Sequence, residues 1–210
     1  MIAVFKARLS RSFTLSAWLG LVLASASLAA PASPPVGTPH QTALKAGTFD
    51  PARQAPDFAL RSSDGSELTL RRYRGKVVLL SFGFTHCAAV CPTTLATLTQ
   101  ARKTLGKASD AVQVVFVTVD PERDDAARLK AYLASFDPSF VGATGKPDLL
   151  AAVRKDYGVS ASKVPMGGSY AVDHSSSTFL IDREGKLRAL MPFGRDAKDF
   201  VHDIRLLLAQ

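Results

Sequence analysis

An apolar run that breaks into two cysteines and then a proline-headed helix constrains this chain more than any other feature. The run extends from Lys76 to Phe84, with Val77, Val78, Leu79 and Leu80 following Gly75. Its β-branched and bulky residues predict a buried strand. It leads into Thr85-His86-Cys87-Ala88-Ala89-Val90-Cys91-Pro92-Thr93-Thr94, which holds the only two cysteines of 210 residues. Pro92 suits the first position of a helix, where its missing N–H has no partner to lose. Leu95, Leu98, Ala101 and Leu105 then recur at helical spacing. The order strand, loop, helix puts Cys91 at a helix N-terminus and Cys87 in the loop before it.

That placement predicts reactive sulfur. A helix N-terminus carries partial positive charge and free N–H groups, so it favours a thiolate and a lowered cysteine pKa. Thiolates bind soft metals and attack disulfides. Two cysteines serving only as small buried hydrophobes is the plainer alternative, but nothing in that role would pair them at one helix start.

The N-terminus predicts export. Residues 1–30 contain Lys6, Arg8 and Arg11 and no acidic residue, then the apolar run Phe13 to Ala30 with a small-residue exit. This is the pattern of a secretory signal. A membrane anchor is the rival, since an anchor needs about 20 apolar residues. Basic residues ahead of the run keep that end in the cytoplasm and send the remainder across. The expected location is therefore periplasmic, either soluble or tethered to the inner membrane through residues 13–30. Disulfides persist in such a compartment. Without residues 1–30 the net charge falls from +8 to +5, and the densest basic group, Arg71, Arg72 and Arg74, reads as a solvated face. Nothing favours nucleic-acid binding.

Residues 31–50 are rich in Pro, Ala, Ser, Thr and Gly and read as a flexible linker. Residues 51–210 form the expected folded domain. Phe58 to Leu60 and Leu68 to Leu70 flank the turn Ser63-Asp64-Gly65 and predict an N-terminal β-hairpin. Val112 to Val119 is a near-continuous apolar run, as in a parallel strand covered on both faces. A helix is expected from the acidic stretch at Asp120 to about Ser135, and another from Pro147 to Tyr157, stopped by Gly158. Pro165-Met166-Gly167-Gly168 reads as a loop before a strand near Tyr170. Thr178 to Ile181 and Leu187 to Leu190 form a hairpin, and Asp196 to Leu208 a closing amphipathic helix. Strands alternating with helices predict an α/β domain with a mixed central sheet flanked by helices. Sites in such sheets form beyond the carboxyl ends of strands, where Cys87, Cys91 and Asp120 lie.

A metal at two cysteines needs further ligands. Structural zinc takes four, whereas Cu(I) is soft and accepts few thiolate and imidazole donors. The sequence offers His86, His174, His202, Met166 and Met191. His174 is the best placed, in the polar loop Asp173-His174-Ser175-Ser176-Ser177 ahead of a buried strand, and Asp173 can orient its ring. A hydrogen-bonded surface histidine fits the same pattern, so the residues alone leave the third ligand open.

Three motifs close part of that gap. Phe82-Gly83-Phe84-Thr85-His86-Cys87-x-x-x-Cys91-Pro92-Thr93, Val117-Thr118-Val119-Asp120-Pro121-Glu122-Arg123-Asp124 and Val172-Asp173-His174-Ser175-Ser176 occur in this order. Together they resemble the Sco/SenC family of copper chaperones over about residues 50–208. The resemblance implies a thioredoxin-like fold and copper held by Cys87, Cys91 and His174; Asp173 and Asp120, from their places in the two loops, are expected to support the site. It also implies delivery of copper to, or maturation of, the CuA centre of cytochrome c oxidase. The partner would be the CuA-bearing subunit or another copper chaperone. The chain departs from the family at Ala88 and Ala89, where members commonly carry Pro and Asp, which bears on loop rigidity and docking rather than on the ligands.

Three other functions fit less well. A thiol-disulfide oxidoreductase of this fold places a proline just before the strand after its active-site loop, where this chain has Ser177 ahead of Thr178. Dedicated reduction of one partner's cysteines remains the alternative. A peroxidase of this fold has a threonine three residues before its catalytic cysteine, where Ala88 precedes Cys91. A copper store or sensor would use the same three ligands.

Overall fold

Residues 43–210 are described here from a computed structural model. The predicted signal or anchor at 1–30, the tether at 13–30 and the linker up to residue 42 lie outside the described residues. Among the described residues, no helix is long and apolar enough to cross a membrane.

The chain runs β1 (Gly47–Gln54), β2 (Leu60–Ser62), β3 (Glu67–Leu68), β4 (Val77–Gly83), α1 (Val90–Leu105), β5 (Val112–Thr118), α2 (Ala126–Ala134), β6 (Val141–Thr144), α3 (Pro147–Tyr157), β7 (Ala161–Met166), β8 (Ser169–His174), β9 (Thr178–Ile181), β10 (Lys186–Met191) and α4 (Ala197–Leu208). Eight strands form one mixed sheet in the order β1-β10-β9-β4-β5-β6-β2-β3, and β7 with β8 forms a separate two-stranded ribbon. The predicted α/β architecture, a mixed central sheet flanked by helices, is what the chain adopts.

β4 and β5 lie at the centre, paired in parallel from Val77 opposite Val112 to Gly83 opposite Thr118. Every residue of both strands is buried, which explains their nearly unbroken apolar composition. Side chains alternate across the sheet. Phe82 faces Tyr157 of α3 and Phe179 of β9, with ring centroids 5.7 and 6.0 Å away. A Cβ at the neighbouring Gly83 would instead point at Phe116 and at Cys91 of α1. One face of the sheet is therefore sealed by aromatic packing, and the other carries the cysteines.

Several boundaries differ from the sequence-based expectation. The folded part starts earlier, because β1 begins at Gly47 inside the stretch read as linker to residue 50 and pairs with β10. Lys45 N–H and Ala46 N–H donate to the fully buried carboxylate of Asp203, at 2.7 and 2.9 Å. Both tethers come from residues far along the chain, so local composition does not reveal them. The predicted N-terminal hairpin exists as β2 and β3 at the opposite edge, but β1 precedes it. The helix expected from Asp120 begins only at Ala126, where the Asp125 side chain accepts from Arg128 N–H at 2.7 Å. Asp120 to Asp124 form a turn instead, with Asp124 N–H donating to the Asp120 carbonyl. The loop expected at Pro165 to Gly168 is the tip of the β7–β8 hairpin, with Gly167 and Gly168 at positive φ. His174 is consequently the last residue of β8 rather than part of a loop.

Candidate metal centre

The site is a product of strand direction. Because β4 and β5 run parallel and end in register, the cysteine loop and the Asp120 turn leave the sheet side by side, and Val119 N–H donates to the Gly83 carbonyl at 2.8 Å. β9 runs antiparallel to β4, with Thr178 opposite Ser81. It therefore begins where β4 ends, and the residues just before it, His174 among them, arrive beside the cysteines.

Cys87, Cys91 and His174 each present one donor atom, and these atoms lie within 4.8 Å of one another. Cys91 Sγ is 3.7 Å from His174 Nε2. Both thiols are free. Cys91 N–H, the second amide of α1, donates to Cys87 Sγ at 3.3 Å. That sulfur takes the capping place that Ala89, with no side-chain oxygen, leaves open. His174 Nδ1 lies 2.8 Å from the Ser175 carbonyl. A carbonyl only accepts, so Nδ1 carries the proton and the Nε2 lone pair faces Cys91. Among Cys91, His174, Phe116, Val90, Thr94 and Ser176 remains a cavity of about 10 Å³, roughly one water-sized sphere. Two sulfurs and an imidazole nitrogen are donors suited to a soft ion.

One expectation is reversed. The helix N-terminus was expected to lower the Cys91 pKa, but burial pushes this thiol well above its ordinary value, with the Phe84 N–H opposing and Cys87 adding to the rise. Cys91 is only 3% exposed, and desolvation of the charged form outweighs the dipole of one helix end. A metal bound here must displace the Cys91 proton, which ties binding to proton release.

The remaining candidates are not part of this donor group. His86 is exposed and lies 3.3 Å from Thr85 Oγ1. His202 pairs with Asp203 on α4. Met166 sits at the β7–β8 tip and is 60% exposed, whereas Met191 is buried in β10. Asp173 is exposed, and the Ser175 carbonyl holds the His174 ring where Asp173 was expected to. Asp120 is buried but does not touch the cysteines. It accepts from Arg123 Nε and, at 2.8 Å, from the Tyr170 hydroxyl, so its link to the site runs through the hairpin.

Asp124, not among the expected site residues, anchors the cysteine loop. Its buried carboxylate accepts from Thr85 N–H at 3.0 Å, Thr85 Oγ1 at 2.7 Å and Thr118 Oγ1 at 2.8 Å, binding the cysteine loop to the end of β5. In sequence it is one of several neighbouring acids, and only burial distinguishes it. Gly83 belongs to the first motif, and the packing around it requires glycine. A Cβ there would stand 2.6 Å from Phe116 Cζ and 2.8 Å from Cys91 Sγ. Phe116 is itself fully buried and has nowhere to retreat. Gly83→Ala is expected to cost about 1–3 kcal/mol by overpacking, read as a lower Tm, and to displace Cys91 Sγ. An unchanged Tm would show that the pocket gives way freely.

Comparison with known proteins agrees with this geometry. The SCO1/SenC family profile matches residues 46–209. Protein SCO2 homolog, mitochondrial, from Mus musculus is 37% identical over 157 residues, covering 73% of this chain and 62% of the mouse protein's length. The structure of Bradyrhizobium japonicum ScoI with copper bound superposes with a TM-score of 0.69 at 37% identity, covering 74% of this chain and 99% of that one. BsSco, described as a member of the Sco family of cytochrome c oxidase assembly proteins with a disulfide switch, superposes with a TM-score of 0.61 at 26% identity, covering 75% of this chain and 95% of that one. The two loops, the strand ladder and the matched span lead to one conclusion: this chain belongs to the SCO1/SenC family and has its thioredoxin-like fold.

Proposed function

We propose that this protein carries one copper ion as cargo between Cys87, Cys91 and His174, and hands it on during maturation of the CuA centre of cytochrome c oxidase. The observation that carries this reading is the convergence of two sulfurs and one imidazole nitrogen within 4.8 Å, a donor set matched to Cu(I). The copper bound by the Bradyrhizobium relative and the assembly role given for the BsSco family support it. The receiving partner is the CuA-bearing oxidase subunit or another copper chaperone. The work is done on the exported side of the membrane, in the periplasm, where the segment at 1–30 would deliver the domain.

The thiols add a redox control. Two-electron oxidation of Cys87 and Cys91 by an external oxidant would join the sulfurs, remove both as ligands and free the ion, and reduction would restore the site. The disulfide switch described for BsSco favours this coupling. Reduction of a dedicated partner's cysteines is the second reading, and the free state of both thiols is compatible with it.

Anaerobic titration of the reduced protein with Cu(I) tests the cargo reading. One equivalent is expected to bind, and none after Cys87 and Cys91 are oxidised. In cells lacking the gene, oxidase without its CuA copper should accumulate and be rescued by added copper. Tight binding at other stoichiometry, or normal CuA content, would favour the reductase.

A further inference from the structure

The geometry points to Arg123 as the positioning residue that latches the β7–β8 hairpin, and with it His174, against the cysteine loop. This rests on the reading of the site as a copper carrier and adds how the third ligand is kept in place or let go.

The hairpin needs such a latch. It forms no ladder with the central sheet, and β7 is exposed from Ser162 to Met166. A lone two-stranded hairpin is marginal in water. Yet its last residue supplies the imidazole.

Arg123 reaches three separate parts of the chain. Its Nε donates to Asp120, whose side chain is fully buried. Its Nη1 donates to the Tyr170 carbonyl at 3.0 Å, and its guanidinium stacks 3.8 Å from the Tyr170 ring centroid, both on β8. The guanidinium also lies 5.7 Å from the ring of Phe84, in the cysteine loop. Phe84 in turn stands edge-on to the His174 ring at 5.8 Å. The Tyr170 hydroxyl completes the contact by donating to Asp120 at 2.8 Å and to Glu122 at 3.2 Å. The one ion pair made by a hairpin side chain among the described residues, Lys163 with Glu122, is exposed on both sides and holds little. Arg123 Nη2 is buried without a partner among the described residues. The closed position is therefore not the arginine's best-satisfied state, as suits a latch that must open when the ion is passed on.

The test uses Arg123→Lys, which keeps a cation beside Asp120 but loses the planar fork and its stacking, and Tyr170→Phe, which removes only the hydroxyl. Arg123→Ala would strand a buried carboxylate and is avoided. Amide hydrogen exchange of the copper-free protein reads the latch directly. In Arg123→Lys, the amides of Ala171 to His174 should exchange at least about tenfold faster, while those of β4 and β5 stay unchanged. Tyr170→Phe should give a smaller change of the same pattern. Cu(I) affinity, measured by competition, should fall about tenfold in Arg123→Lys and show no further fall when Arg123→Lys is added to His174→Ala. Unchanged hairpin exchange, or losses that add fully in the double variant, would overturn the proposal. If the parent protein bound no Cu(I), the carrier reading would fail, and the exchange measurement would still decide the latch.

Discussion

Replacing Cys91 by serine is expected to weaken Cu(I) binding by more than about a hundredfold, beyond the 10–100-fold typical of losing a group outside the ligand set. The substitution keeps shape but exchanges a soft sulfur for a hard hydroxyl oxygen that Cu(I) does not favour. Cys91 is the central donor, lying 3.7 Å from His174 Nε2 and giving its amide to Cys87 Sγ. Among the described residues the other sulfurs besides Cys87 are Met166, exposed at the hairpin tip, and Met191, buried in β10. Anaerobic competition with a Cu(I) chelator measures the change, and unchanged affinity would remove the cysteine pair from the proposed copper site. His174→Ala separates the two chemistries. It should weaken binding sharply, yet still allow Cys87 and Cys91 to form a disulfide. A variant that could not be oxidised would mean that His174 takes part in thiol chemistry.

The second large effect is expected at a residue that touches no metal. Asp124→Ala removes a fully buried carboxylate that holds Thr85 N–H, Thr85 Oγ1 and Thr118 Oγ1. The two hydroxyls can turn to other acceptors, but the Thr85 amide cannot. Orphaning a buried donor costs about 1–3 kcal/mol, and lost hydrogen bonds to a charged group about 1.5–3 kcal/mol. A total loss of about 3 kcal/mol or more is expected, lowering Tm by roughly 10 °C in a domain of this size. Arg128 Nε also meets Thr85 Oγ1, at 3.1 Å, so the whole start of the cysteine loop should loosen. Asp124→Asn keeps one acceptor oxygen and should lose less. Thermal unfolding and Cu(I) affinity measured together test the idea, and an unchanged Tm would show that the carboxylate does not anchor the loop.

Much of the domain is legible in its residues because the signals are local. The buried strand before the cysteines, the helix that takes in Cys91, α3 between Pro147 and Gly158 and the closing α4 each announce themselves within a dozen positions. Long-range interactions are where the reading falls short. The Asp120 to Asp125 stretch looked like one acidic helix start, but its members have separate tasks. Asp120 faces Arg123 and Tyr170, Asp124 faces Thr85 and Thr118, and Asp125 alone caps α2. Identical side chains in one short segment diverge only once the sheet has fixed which of them point inward.

Neighbouring residues are enough to set the strand, the loop and the helix around the cysteine pair, although α1 starts at Val90, two positions ahead of the expected Pro92, and His174 stands out through a motif resemblance. That His174 meets Cys91 across 83 positions of chain is a matter of the folded sheet, since it depends on β9 running antiparallel to β4. The tertiary structure also decided the state of the thiol. A helix start favours charge at Cys91, but burial is a property of the packed whole, and in a water-excluded pocket the cost of desolvation exceeds the pull of one helix dipole.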